Sequence, residues 1–201
     1  MASFTKKAIL ASFMKLCAKK SPEKITVRDI VDDCEINRNT FYYYYQDIYA
    51  LVEEVFGLWA EDFVRVLGDR GDPEAGLCAL AQWALEHKRA VVNLMETFDG
   101  RVMEEYFLGA TAEAWIDWTR GQAEGDPISD EAIRYVAMTY AYGFYSILAR
   151  WIRGSMREEP QRIARHYCTI WVSHASEAME CYEREFGKGR GIRSYTTGKE
   201  G

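Results

Sequence analysis

The chain lacks the features of membrane, secreted and β-rich proteins. Its longest uncharged stretch lies between Arg134 and Arg150, shorter than the roughly 20 apolar residues of a membrane-spanning helix. No apolar segment with a small-residue cleavage site follows the N-terminal lysines, so we expect no secretory signal. The five cysteines are scattered without a Cys-x-x-Cys pair, which indicates reduced thiols in a cytoplasmic protein. No segment alternates like a strand, and no internal repeat is present.

Catalytic and metal-binding arrangements are also missing from the sequence. The glycine-rich run 187–191 follows a predicted helix and precedes none, so it lacks the context of a phosphate-binding loop. His166 and Cys168 are two residues apart on one helix and point in different directions, while His174 lies two turns from His166. These side chains cannot converge on one metal ion. We therefore expect no enzyme, no metal and no other cofactor.

Charge is distributed unevenly along the chain. Residues 1–50 have 8 Lys/Arg against 6 Asp/Glu, a net charge of +2. Residues 51–187 have 13 against 24, a net of −11, and residues 188–201 have 4 against 1, a net of +3. A modestly basic head can dock on phosphates while an acidic body resists nonspecific binding to nucleic acid.

Helical periodicity recurs throughout and predicts an all-α fold. Ile9, Phe13 and Cys17 have the spacing of an amphipathic helix. Asp72-Pro73 has the pattern of an N-cap followed by proline at the first helical position. We predict a helical head over 1–50, a helical body over 51–187, and a disordered basic tail over 188–201. Helices are predicted over 5–20, from Thr26 to a turn at Glu35 and Ile36, from Asn37, from Asp47 to about Leu67, and over 73–88, 89–98, 101–120, 129–153 and 160–186.

Residues 26–51 contain the most informative pattern. Thr26, with Asp29 three residues later, has the pattern of a capping box. A cap and a phosphate contact by Thr26 are compatible at a helix N-terminus. Asn37 is a good N-cap for a second short helix, which opens with polar and basic residues. A helix of this kind, supported by a preceding helix, reads the DNA major groove.

Four consecutive tyrosines follow on this second helix. At 100° per residue, Tyr44 and Tyr45 flank Phe41 and face the core, whereas Tyr42 and Tyr43 lie on the opposite side. The alternative is that all four pack on a neighbouring helix, which the angles do not favour for Tyr42 and Tyr43. Outward tyrosine hydroxyls can bond phosphate oxygens, and Asn or Arg side chains can read base edges.

This stretch resembles the helix-turn-helix of the TetR family of bacterial transcriptional regulators. The resemblance is specific over residues 5–60, and the stretch looks like a sub-branch near regulators of dihydroxyacetone-kinase operons. It implies a three-helix helix-turn-helix DNA-binding domain over 1–50 and a helical effector-binding and dimerisation domain over 51–187. It also implies a homodimer that binds a pseudo-palindromic operator and an inducer. The matching residues are Thr26, Val27, Arg28, Asp29, Ile30, Ile36, Thr40, Phe41, Tyr42 and Tyr45.

Two positions depart from the family pattern. Glu35 stands at the turn position that is usually glycine, so either a left-handed conformation costs roughly 1–2 kcal/mol there or the turn differs locally. Ile48 stands where a phosphate-binding lysine is often found, so one phosphate contact is expected to be absent. These departures and the acidic body favour an alternative function, a helical dimeric sensor or protein-binding module whose head no longer reads DNA.

The two terminal helical segments are the candidates for a dimer interface. The 129–153 segment has aromatic side chains around much of its circumference, and Gly143 in its middle indicates close backbone packing. Two such helices from each chain could form a four-helix interface, or the same residues could form an intrachain core. The candidates are Gly143, Ile147, Trp151, Ile163, Tyr167, Ile170, Trp171 and His174.

An effector pocket is harder to place, because aromatic and methionine side chains suit an apolar ligand and a plain core equally well. A protein coregulator could also replace a small-molecule effector. The pocket candidates are Trp83, His87, Met95, Met103, Trp115, Trp118 and Tyr140.

The prediction for the whole chain is a cytoplasmic, homodimeric repressor that a small molecule releases from double-stranded DNA. Arg38 and Asn39 are expected to contact bases, and Thr26, Tyr42 and Tyr43 to contact phosphates. The full DNA-binding set is Thr26, Val27, Arg28, Asn37, Arg38, Asn39, Thr40, Tyr42 and Tyr43.

Overall fold

The computed structural model describes residues 2–123 and 127–187, and the predicted tail over 188–201 lies outside them. Within these ranges the chain forms ten α-helices and no strand, which confirms the all-α prediction. The helices are α1 (Ala2–Cys17), α2 (Val27–Asp33), α3 (Arg38–Tyr44), α4 (Ile48–Arg70), α5 (Pro73–Glu86), α6 (Lys88–Thr97), α7 (Gly100–Gly121), α8 (Asp130–Arg153), α9 (Pro160–Ile170) and α10 (Ala175–Phe186). Short 3₁₀ helices cover Pro22–Lys24 and Val172–His174.

Helices α1 to α3 form a small head around Phe13, Ile30 and Phe41, all three of which are fully buried. The first helix ends three residues earlier than the predicted position 20. Helix α4 begins in the head, capped by Asp47, and continues into the body. It therefore crosses the predicted boundary between residues 50 and 51, and the domain bounds stay predictions.

Helices α4 to α8 build the core of the body, with α4 packed against α5 and α7, and α7 packed against α8. Two pairs of helices approach closely where a glycine on one helix faces an aromatic ring on the other. A Cβ atom on Gly76 would lie 2.9 Å from the Phe63 ring, and one on Gly143 would lie 3.0 Å from the Tyr167 hydroxyl. Trp115 fills the centre and is fully buried.

The last predicted helix, 160–186, was wrong as a single element. Helix α9 ends at Ile170, and the chain passes through the 3₁₀ helix before α10 begins at Ala175. The β-branched residues Thr169, Ile170 and Val172 have low helix propensity. The Ser173 hydroxyl also donates a hydrogen bond to the Thr169 carbonyl at 3.0 Å, which offers the backbone an alternative to a regular helix.

Candidate functional site

The N-terminus of α2 is fixed by a complete capping box. The Asp29 N–H donates to the Thr26 hydroxyl at 3.2 Å, and the Thr26 N–H donates to the Asp29 carboxylate at 2.7 Å. The Thr26 backbone N–H, the Thr26 hydroxyl and Lys20, which all hydrogen-bond to this carboxylate, lower the pKa of Asp29 to about 2. The box holds the start of α2, with Thr26 and Arg28 exposed to solvent and Val27 half-buried.

The turn between α2 and α3 is a Schellman motif. The Ile36 N–H donates to the Val31 carbonyl at 3.0 Å, and Glu35 has a φ of 55°. Of the two alternatives at Glu35, the left-handed conformation is therefore the one present, in a residue with a Cβ atom. Asn37 then caps α3, because its side-chain oxygen accepts from the Thr40 N–H at 2.8 Å and from the Thr40 hydroxyl at 3.1 Å.

Helix α3 presents two different faces. Phe41 is fully buried, Tyr45 at the C-cap is 4% exposed, and Tyr44 is half-buried. On the other side Tyr42 is 51% exposed and Tyr43 is 79% exposed. Arg38 and Asn39 are exposed on the first turn of the helix. The orientation predicted from the helical angles is the one observed, and it leaves a polar, basic and phenolic surface on α3.

At the start of α4, position 48 holds an isoleucine where the family pattern often has a phosphate-binding lysine. Ile48 is half-buried and packs against the core, while the Asp47 carboxylate accepts from the Ala50 N–H at 2.9 Å. A side chain at position 48 therefore contributes apolar packing in place of a cation for phosphate.

Two family models match consecutive parts of the chain. Residues 9–55 match the model described as bacterial regulatory proteins, tetR family, and residues 71–171 match the one described as a transcriptional regulator C-terminal region, TetR_C_8. The second match alone covers half of the chain. The chain belongs to the TetR family of bacterial transcriptional regulators. It is a DNA-binding transcriptional regulator, and membership of this family implies DNA binding and dimer formation.

Solved structures share the fold at low sequence identity. The dihydroxyacetone kinase operon activator DhaS has 20% identity and a TM-score of 0.65, with 86% of this chain and 97% of that chain covered. A TetR regulator from Streptococcus agalactiae 2603V has 19% identity and a TM-score of 0.59, covering 84% and 94%. NalD, the secondary repressor of the MexAB-OprM multidrug efflux pump in Pseudomonas aeruginosa, has 18% identity and a TM-score of 0.54, covering 85% and 96%.

At these identities the likeness shows the fold alone, so the placement near dihydroxyacetone-kinase regulators stays a prediction. No curated protein matches the chain. Across the part of the chain that the structure describes, no helix is long and apolar enough to cross a membrane.

The seven pocket candidates of this TetR-family chain do not line one cavity, although Trp115 packs against Trp118 and Tyr140 with ring centroids 6.1 Å and 6.3 Å apart. Trp83 and His87 line a cleft between the head and the body. Trp118 lines a groove beside α9, and Tyr140 lines a shallow apolar cavity beside α10. Met95, Met103 and Trp115 are buried in the core. The pocket assignment stays a prediction for the residues that reach a cavity, whereas packing with neighbouring side chains already accounts for the three core residues.

The dimer-interface candidates divide in the same way. Trp151, Ile163 and Tyr167 are buried within the protomer, so most of their surface packs inside their own chain, and their place in the interface stays a prediction. The half-buried Gly143 packs on Tyr167 of its own chain, and Ile147 is half-buried against the core. Ile170, Trp171 and His174 are exposed around the break between α9 and α10. Tyr135, Tyr142 and Phe186 are exposed on the same side of the body and were not predicted. The i, i+7 spacing of the two tyrosines, which places them on one helix face, could have indicated them.

Proposed function

We propose that the chain binds a pseudo-palindromic operator as a homodimer, with α3 of each protomer in one major groove. Arg38 and Asn39 would contact base edges, and Tyr42, Tyr43 and Thr26 would contact phosphates. The rest of the proposed surface consists of Val27, Arg28, Asn37 and Thr40.

The observation that carries this proposal is the exposure of Tyr42 and Tyr43 beside Arg38 and Asn39. A ring that is 79% exposed, as in Tyr43, contributes little to the fold and is available to a partner. No acid on α3 itself opposes the cation of Arg38. The capping bonds also limit the role of Asn37. Its side-chain oxygen already accepts from the Thr40 N–H and hydroxyl, so only its side-chain amide nitrogen can reach DNA.

The dimer surface that we propose lies on α8 and around the α9–α10 break. Its exposed apolar side chains are Ile170 at 65%, Trp171 at 48% and Phe186 at 72%. Tyr135 and Tyr182 pack as a tilted pair on the same face, with 5.0 Å between ring centroids and an interplanar angle of 36°. Contiguous exposed apolar groups of this kind mark protein contact sites, and a second copy would cover them.

Regulation follows from the same architecture. We propose a cytoplasmic repressor that is released from its operator when a small-molecule effector binds the body, with a protein coregulator as the alternative effector. Effector binding would change the separation of the two heads so that they no longer match the half-sites. The fold does not fix the sign of regulation, because DhaS is named an activator and NalD a repressor.

The experiment is selection of genomic fragments by the purified chain at two salt concentrations, followed by a footprint on the best fragment. We expect a two-fold symmetric footprint. The affinity of the protein for the fragment should fall steeply with salt, because phosphate contacts release counterions. An absence of enrichment at low salt would contradict the proposal.

A further inference from the structure

A cleft between the head and the body has the composition of a ligand site. It has a volume of about 1150 Å³ and lies between one face of α1, one face of α4 and the corner where α5 meets α6. Volumes of this order accommodate drug-sized ligands. Trp83 and His87 were predicted from the sequence as pocket residues. The α1 and α4 walls could not be predicted, because they are distant from these residues in the sequence.

The floor of the cleft is apolar and aromatic. Trp83 stacks between Trp59 and His87, with ring centroids 5.7 Å and 4.1 Å away and interplanar angles of 23° in both pairs. The half-buried Trp83 and the 41% exposed Leu58 both line the cleft. Such a surface offers edge and apolar contact to a planar group.

The two long walls have opposite charge. Helix α1 contributes lysines, among them Lys7, and α4 contributes acids, among them Glu61. Within the described ranges neither Lys7 nor Glu61 forms an ion pair, and both are exposed. The corner carries both signs of charge, with Glu86 beside Lys88 and Arg89. A ligand with one sign of charge would therefore meet a like charge on one of the walls, which costs binding free energy.

The cleft is also connected to the recognition helix. At one end the Lys6 ammonium lies 2.8 Å from the Glu54 carboxylate and 5.8 Å from the centre of the Tyr45 ring. Tyr45 is buried at the C-cap of α3. On the other side of α1, the Asn93 amide donates to the Cys17 carbonyl at 2.7 Å, which ties α1 to α6. A ligand that separates the cleft walls would act on the helix that supports α3.

From the opposite walls and the aromatic floor, we infer that this cleft binds a small zwitterionic molecule with a planar aromatic body. Its cationic group pairs with Glu61, its anionic group pairs with Lys7, and its ring packs against the edge of Trp83 and against Leu58. The inference rests on the proposed function only in taking this ligand as the effector.

Three fluorescent probes with the same dansyl ring test the inference on the full chain in the absence of DNA. Nε-dansyl-lysine has a zwitterionic head, dansylcadaverine has a single amine, and dansylglycine has a single carboxylate. Each is titrated and followed by dansyl fluorescence. We expect the zwitterion to bind about tenfold more tightly than either of the others, the difference made by one charged contact.

Charge-reversed variants then locate the site. Lys7→Glu and Glu61→Lys should each weaken Nε-dansyl-lysine binding by about tenfold. Glu53→Lys is the matched control, since Glu53 is an exposed glutamate on α4 that does not line the cleft. Equal affinities for the three probes, absence of binding, or an equal loss in the control would overturn the inference. Because no DNA is present, such a failure would leave the operator proposal untouched.

Discussion

Two groups of exposed tyrosines on this protein have different neighbours, and the neighbours indicate the partner. On α3, Tyr42 and Tyr43 lie beside Arg38 and Asn39, whose charged and amide groups suit DNA. On α8, Tyr135 and Tyr142 lie on the side of the body that exposes isoleucine, tryptophan and phenylalanine, which suit another apolar protein surface. Exposure alone shows that a tyrosine is available to a partner, whereas the neighbouring side chains indicate which kind of partner we propose for it.

The largest effect is expected from substitutions in the proposed dimer surface. The double change Ile170→Glu and Trp171→Glu places two carboxylates in the proposed interface and should yield monomers. Operator affinity should then fall by about 100-fold or more, because the second head no longer binds intramolecularly. Sedimentation and operator titration measure the two effects. Val64→Glu, at another exposed apolar site, is the control; dimers that survive the double change would place the interface elsewhere.

Asn39→Ala should give the next largest effect, and it acts on the head surface alone. The loss of an amide that reads a base edge reduces discrimination between operator and mutated operator by roughly tenfold or more. Binding to both sequences is titrated, and the dimer is checked by sedimentation. Gln161→Ala removes an exposed amide from the body as the control. Undiminished discrimination would show that Asn39 does not read bases.

A matched pair of hydroxyl deletions compares the two tyrosine groups directly. Tyr43→Phe should weaken operator binding about fivefold for each half-site, the value of one hydrogen bond near 1 kcal/mol. Tyr142→Phe, on the other surface, keeps the ring that a second copy would cover, so operator binding measured at protein concentrations that keep the dimer formed should not change. Both variants are measured by titration at one salt concentration. If the two lose the same affinity, the functional distinction between the surfaces fails.

The strained turn beneath the head surface provides a stability test. Glu35 has a φ of 55°, while Gly71 has a φ of 63° at the C-cap of α4. Glu35→Gly should raise the free energy of unfolding by about 1 kcal/mol, since relief of strain exceeds the added freedom of the unfolded chain. Gly71→Ala should lower it by a similar amount. Urea unfolding measures both, and destabilisation by Glu35→Gly would show that its side chain has a stabilising role.

The smallest effect concerns acid stability. Because the folded-state pKa of Asp29 is about 2, below its ordinary value of 3.8, the carboxylate stabilises the fold above pH 4. This contribution is lost as the pH falls from about 4 towards 2. Asp29→Asn should therefore flatten the pH dependence of stability in that window, whereas Asp69→Asn, on an exposed carboxylate without a capping role, should not. Unfolding measured between pH 2 and 5 distinguishes the two.

Much of the head could be predicted because its contacts are local. The Thr26–Asp29 box, the Asn37 cap and the left-handed Glu35 each involve residues within a few positions of one another, and the structure shows all three. The outward direction of Tyr42 and Tyr43 follows from helical geometry with Phe41 in the core. The break at Trp171 was missed, because apolar residues kept helical spacing on both sides of it.

The sequence by itself determined the helical class, the capped helix-turn-helix and the exposed face of α3, because caps and helical angles depend on residues three or four positions apart. Only the tertiary structure decided which aromatic residues fill the core and which remain exposed. Trp115 has Glu113 and Asp117 close by in the sequence and Trp171 has no charged residue within two positions, yet Trp115 is fully buried and Trp171 is 48% exposed. The cleft likewise could not be predicted from the sequence, since Lys7, Glu61 and Trp83 come together only when α1, α4 and α5 pack.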